Sequence, residues 1–169
     1  MRVFADEGVR LSVYTGTLPA ESAWAALSVA QLGAVGVKDL SDFAVVGSTD
    51  FVQASSETND ERAYSDKGNV KSPTLKNANG KLTVYRDRDE AGLLTADDPI
   101  KYFDDRQVIL LIKRKGVDVD AAWAAGQDYE IGKFQADHIA TIGDADGSYE
   151  KAEVGLLFKG FHDFGVVVA

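Results

Sequence analysis

The sequence predicts a mainly β chain with one or two helices, folded as an antiparallel β-sandwich or barrel. Three observations carry that prediction. Apolar residues recur with a period of two in several short segments. Gly, Asn and Asp separate those segments at the spacing of turns. Only two stretches show helical spacing. The chain has 169 residues, of which 45% are hydrophobic and 27% charged, a balance that supports one core and one domain over 1–169.

In chain order, residues 9–14 alternate Val9, Leu11 and Val13 with Arg10, Ser12 and Tyr14, as a half-buried strand does. Residues 21–32 place Trp24, Leu27 and Leu32 with Ala23 and Ala26 on one helical stripe, stopped by Gly33 and Gly36. Short strands are expected over 37–40 and 43–46, with Gly47 as the turn, and the character of the chain changes sharply after 51–54. A long polar loop follows at 55–80, rich in Ser, Asn, Asp and Lys. Loops of that length inside a compact domain are uncommon and are disordered, functional or ordered by a partner. Asn79-Gly80 reads as a turn leading into a strand over 81–86.

Residues 87–103 are the second helix candidate, with Asp98-Pro99 as a restart capped by Asp98. The run Val108-Ile109-Leu110-Leu111-Ile112 is apolar on both faces and is expected to be the central, most buried strand. Strands over 128–134, 139–142 and 149–158 follow, with Asp144-Ala145-Asp146-Gly147 as a turn and a C-terminal extension at 161–169. That makes about eight strands.

The charge is 18 − 27 = −9 and the pI about 4.6, which excludes a protein that grips nucleic acid through a basic groove. With no cysteine, thiolate chemistry and Cys-based metal sites are excluded. The first ten residues carry Asp6 and Glu7 without an apolar segment, unlike a secretory signal, and no apolar run is long enough to span a membrane.

No chemistry-bearing motif survives. His138 and His162 lie apart and lack ligand spacing, so both read as ordinary polar or partly buried residues. No G-x-S-x-G elbow is present, and Gly33-Ala34-Val35-Gly36 is too short for a phosphate loop. An EF-hand counted from Asp144 would need Gly at 149 and Glu at 155, where Tyr149 and Gly155 stand. Asp97-Asp98 and Asp104-Asp105 read as caps or solvated faces. Lys113-Arg114-Lys115, with Arg86 and Arg88, reads as a solvated strand end or an intersubunit salt bridge. Trp24 and Trp123 stand among alanines and fit core or subunit packing equally. Composition and motifs therefore point to an interaction or structural role with no catalytic residue, cofactor or metal.

The order of features resembles the tail tube (major tail) proteins of long-tailed bacteriophages. The likeness runs through residues 23–40, 43–54, the polar stretch 55–80, the strand 82–86, the helix ending near Phe103, the strand 108–114, the strand pair within 128–142 and the strand 149–158. The resemblance implies a sandwich or barrel flanked by a helix. It also implies a virion structural protein that stacks as hexameric rings, head to tail, into a hollow tube through which DNA passes without specific binding. Tape-measure and tail terminator proteins would be its partners, and the polar loop would order on a neighbouring subunit. Trp24, Trp123 and the loop residues Glu57, Asp60, Arg62, Lys67 and Lys71 are the expected intersubunit contacts. The extension at 161–169 departs from the family pattern. A ring-forming tail terminator or secretion-tube component is the alternative, then a small acidic binding module.

Overall fold

The computed structural model describes residues 9–45, 48–59, 72–103, 106–142 and 149–169. Seven strands form one antiparallel sheet: β1 (Arg10–Tyr14), β2 (Val37–Asp39), β3 (Asp50–Asn59), β4 (Ser72–Tyr85), β5 (Val108–Arg114), β6 (Asp128–Ile142) and β7 (Lys151–Val166). Their order is β2-β1-β5-β6-β7-β4-β3. The mainly β prediction holds.

The sheet curls. Leu11 and Val13 of β1 and Leu82 and Val84 of β4 lie far apart in the strand order, yet they share one buried cluster with Ile109, Leu111, Phe134 and Val154. Residues 40–45 close the curl. The Leu40 amide donates to the Leu11 carbonyl of β1 at 2.8 Å. A few residues on, Tyr85 N–H donates to Phe43 O at 2.8 Å and Val45 N–H to Thr83 O at 2.9 Å, so the same segment is bonded to β4. Backbone bonds thus run around a barrel-like core with its β1 and β4 borders covered, which removes part of the edge problem of an open sheet.

Period-two alternation then gives each strand an inner and an outer face. Ile109 and Leu111 of β5 face the inner cluster, while Leu110 and Ile112 face a second cluster on the outer face with Tyr129 and Ile131 of β6. That outer cluster is covered by the β1–β2 connection, through Trp24, Leu27 and Leu32, together with Trp123 and Val167.

Several expectations are corrected. Residues 21–32 do not form one helix. A 3-10 turn at Glu21–Ala23 and the single α-helical turn α1 (Val29–Leu32) replace it. Two causes act. Ser28 forms a capping box with Gln31, which starts a helix at 29 and ends what precedes it. The backbone of 25–29 is also spent on the C-terminal strand end, because Val166 N–H donates to Ala25 O, Val168 N–H to Leu27 O and Val29 N–H to Val168 O.

Residues 87–103 likewise hold only a 3-10 turn, Pro99–Tyr102, with the expected Asp98 cap. Asp89 Oδ1 accepts from the amides of Ala91 and Leu93 and folds the preceding part into a tight turn bridged Arg88 to Leu94. Over 43–46 the described residues show one isolated bridge, Ala44 with Val84, and Val46 lies outside the described residues. β5 is buried as expected, but β6 is the middle of the order.

The strands expected over 128–134 and 139–142 are one strand, and the strand expected over 149–158 runs on into the extension as β7, Lys151–Val166. The β6–β7 ladder shifts register between Gly132/Phe134 and Ala136/Ile139, and such bulges bend a strand without ending its pairing. The extension at 161–169 is therefore largely the second half of β7. The turn at 144–147 lies outside the described residues.

The 55–80 stretch also differs from expectation, since its described parts, 55–59 and 72–80, are strand and not loop. Asn79-Gly80 is inside β4. Glycine is needed at 80 for close approach: a Cβ there would come within 2.6 Å of the Phe134 ring.

Candidate assembly surfaces

β3 and β4 form a two-stranded ribbon paired from Asp50 with Lys81 to Asn59 with Ser72. β4 pairs with β7 only over Leu82 to Tyr85, so among the described residues 72–81 pair with β3 alone. Among the described residues β3 ends the strand order, and an outer edge of that kind is a template for another strand. Glu57 lies on this ribbon opposite Leu75, next to register shifts at Ala54/Glu57 and Glu57/Thr58. Asp60, Arg62, Lys67 and Lys71 lie outside the described residues.

The root of the ribbon is held on the barrel by Phe51. Its ring is buried edge-on against Phe134 at 5.9 Å and His162 at 6.1 Å. Beneath it lies a charged group that sequence reasoning missed. Lys113 Nζ meets Glu130 Oε2 at 3.0 Å, and Glu130 Oε1 meets His162 Nε2 at 2.8 Å, with all three side chains largely buried. Lys113 also donates to the Phe51 carbonyl at 3.2 Å and sits 4.7 Å from the Phe51 ring centre. The available signal was position, since Lys113 continues the inward row of Ile109 and Leu111.

Arg114, next in the chain, points to the other face and is fully buried. It donates to the carbonyls of Asp118, Ala121 and Ala122 and to Gln127 Oε1, which organises the β5–β6 connection. Desolvation, followed by the nearby Arg10 charge, lowers its pKa from the ordinary arginine value. The reading of 113–115 as a solvated strand end is thus corrected for Lys113 and Arg114, and only Lys115 is exposed.

Trp24 and Trp123 are taken up in the subunit's own packing. Trp24 donates to the Pro19 carbonyl and meets Phe161 edge-on at 4.8 Å. Trp123 lies against Tyr129 and under the Arg114 guanidinium, 5.0 Å from its ring centre. Tyr129 links these parts. Its hydroxyl accepts from Leu27 N–H at 2.8 Å and donates to Trp24 O at 2.7 Å. Burial raises its pKa above the usual phenol value. Its ring lies so close to Gly165 that an added Cβ would stand 2.6 Å from the hydroxyl oxygen.

On another surface, Arg88 grips Glu150 with two nitrogens at 2.7 and 3.0 Å, and this bond holds the Glu150 carboxyl below its ordinary pKa. Arg86 joins Glu150 to Asp98, whose buried carboxylate also accepts the amides of Asp87 and Ile100. Asp98 is therefore a cap and a strut, with every contact accounted for by local structure. His138 is exposed beside Asp137, whereas His162 belongs to the buried group described above. Exposed large apolar residues include Val35, Leu93, Tyr149 and Phe164. Among the described residues no helix is long and apolar enough to cross a membrane.

No curated protein matches the chain. A family model of phage tail tube proteins does match, over residues 2–169. The match agrees with the mainly β sheet and covers nearly the whole polypeptide. The chain belongs to the phage tail tube protein family, a structural family of the virion tail.

Proposed function

We propose that the chain is the repeating subunit of a siphophage tail tube, the major tail protein. It assembles as hexameric rings that stack head to tail around a lumen through which DNA passes without being gripped. A tape-measure protein inside and a terminator at the end are its further partners. The observation that carries this reading is the β3–β4 ribbon, whose outer strand has an open edge and whose stretch 72–81 pairs with β3 alone among the described residues. An edge of that kind favours pairing with another chain, and a heterologous contact repeats into a ring or filament. Glu57 on β3, with Asp60, Arg62, Lys67 and Lys71 in the sequence between β3 and β4, supplies charges of both signs for a neighbour. Trp24 and Trp123 act indirectly, by shaping the outer surface that a neighbour meets. The net charge of −9 supports passage of a polyanion without retention.

The register supplies a clean test. Gln53 pairs with Ala78, so deleting Ser56 to Asn77 joins Ser55 to Ala78 and leaves Ala54-Ser55 as a two-residue connection. Replacing that pair by Asn-Gly suits the tight turn. Light scattering and negative-stain microscopy should show rings or hollow tubes for the parent and folded, unassembled subunits for the deletion. Single rings at every concentration would favour a terminator instead. A parent that stays monomeric when concentrated would favour a small binding module.

A further inference from the structure

We infer that the buried Lys113–Glu130–His162 group is the anchor that sets the direction in which the β3–β4 ribbon leaves the barrel, making these three positioning residues for assembly. The inference rests on the ribbon being the assembly element. The three residues come from three adjacent strands, β5, β6 and β7. Lys113 pairs in register with Glu130, and His162 pairs with Gly132, diagonal to Glu130. The fourth member is the ribbon itself, through the Phe51 carbonyl and ring.

Lys113 occupies an inward position that the row Ile109, Leu111 would fill with another apolar side chain. Apolar replacement of a buried ion pair is often neutral or stabilising, so core stability alone does not account for a lysine there. What the charged group adds is geometry. Apolar packing against the Phe51 ring is non-directional and tolerates sliding. An ammonium bonded at once to a carboxylate and to the Phe51 carbonyl does not, because both acceptors must lie along its N–H directions. Glu130 is in turn held by His162 at 2.8 Å, so the carboxylate cannot follow a shifted ribbon. The root of the ribbon is thereby tied in direction as well as in position.

The absence of native cysteine makes the test direct. Spin labels introduced through Thr74→Cys on the ribbon and Glu153→Cys on β7 report the ribbon-to-barrel distance in the unassembled full chain. The variant K113M/E130Q removes both charges together, so no lone buried charge remains. It should fold, with a distance distribution at least twofold broader than the parent's and with tubes lost or irregular by negative stain. His162→Phe keeps the Lys113–Glu130 pair and removes one tie; its distribution should fall between the two. A folded variant of either kind with the parent's distribution overturns the anchor. A broadened distribution with normal tubes supports the anchor and instead removes the ribbon's role in assembly.

Discussion

The two apolar clusters of the subunit are built from different kinds of chain, and they are held by different forces. The inner cluster is mainly strand against strand: Leu11, Val13, Leu82, Val84, Ile109, Leu111 and Val154 are inward positions of four strands, closed by residues 40–45. The outer cluster is a sheet face covered by irregular chain, namely the β1–β2 connection, the Trp123 loop and the C-terminal end of β7. Irregular chain carries backbone groups that no ladder satisfies. The outer cluster therefore needs buried polar fasteners, the Tyr129 hydroxyl and the Arg114 guanidinium, where the inner cluster is filled by side-chain volume except at the ribbon root, where the Lys113 group sits. Strand packed on strand is held chiefly by area, and irregular chain packed on a sheet by area plus specific hydrogen bonds.

That contrast can be tested in order of size. Leu111→Ala, in the inner cluster, should cost about 2–5 kcal/mol, the range for truncating a buried leucine, and should lower the denaturation midpoint of the whole chain in one cooperative step. Deleting Val167 to Ala169 should cost about 2–3 kcal/mol, from the burial of Val167 and the backbone bonds that residues 167–168 exchange with 27, 29, 126 and 127. Its effect should be local: proteolysis should cut first within residues 18–32 while circular dichroism retains the sheet. A single global transition for both variants would erase the distinction between the clusters.

The smallest expected effect is Tyr129→Phe, at about 1–2 kcal/mol for leaving the Leu27 amide and the Trp24 carbonyl unpaired in a buried site. This substitution also carries a pH signature. The folded pKa of Tyr129 is raised by burial. Its contribution is therefore complete below the unfolded phenol value of about 10 and is lost as pH climbs through the folded value. Chemical denaturation across that alkaline window should show a shallower loss of stability for Tyr129→Phe than for the parent.

Legibility in the sequence followed the same division. β1 and β5 were readable from residue type, because alternation in one and an unbroken apolar run in the other reflect burial decided along the strand itself. The Asp98 cap was readable because its partner, the Ile100 amide, is two residues away. Residues 21–32 misled because their helical spacing is genuine, but their backbone bonds are claimed by a strand end more than a hundred positions later. The polar composition of 55–80 suggested loop. The described parts of that stretch are strands through backbone pairing with each other, and backbone hydrogen bonds do not require apolar side chains. Composition groups Lys113 with its charged neighbours, whereas the informative fact is its face, shared with Ile109 and Leu111.

The sequence by itself determined what is local or summed over the chain: a mainly β fold, the interior strand, the acidic balance and the pattern of a tail tube subunit. Tertiary structure decided which strands merge through bulges, that 161–169 completes β7 and fastens the outer cover, and that Lys113, Glu130 and His162 meet beneath Phe51. The physical reason is range. Periodicity and turn chemistry act over a few residues, whereas register shifts, barrel closure and buried charge groups depend on partners distant in sequence, which only the folded sheet brings together.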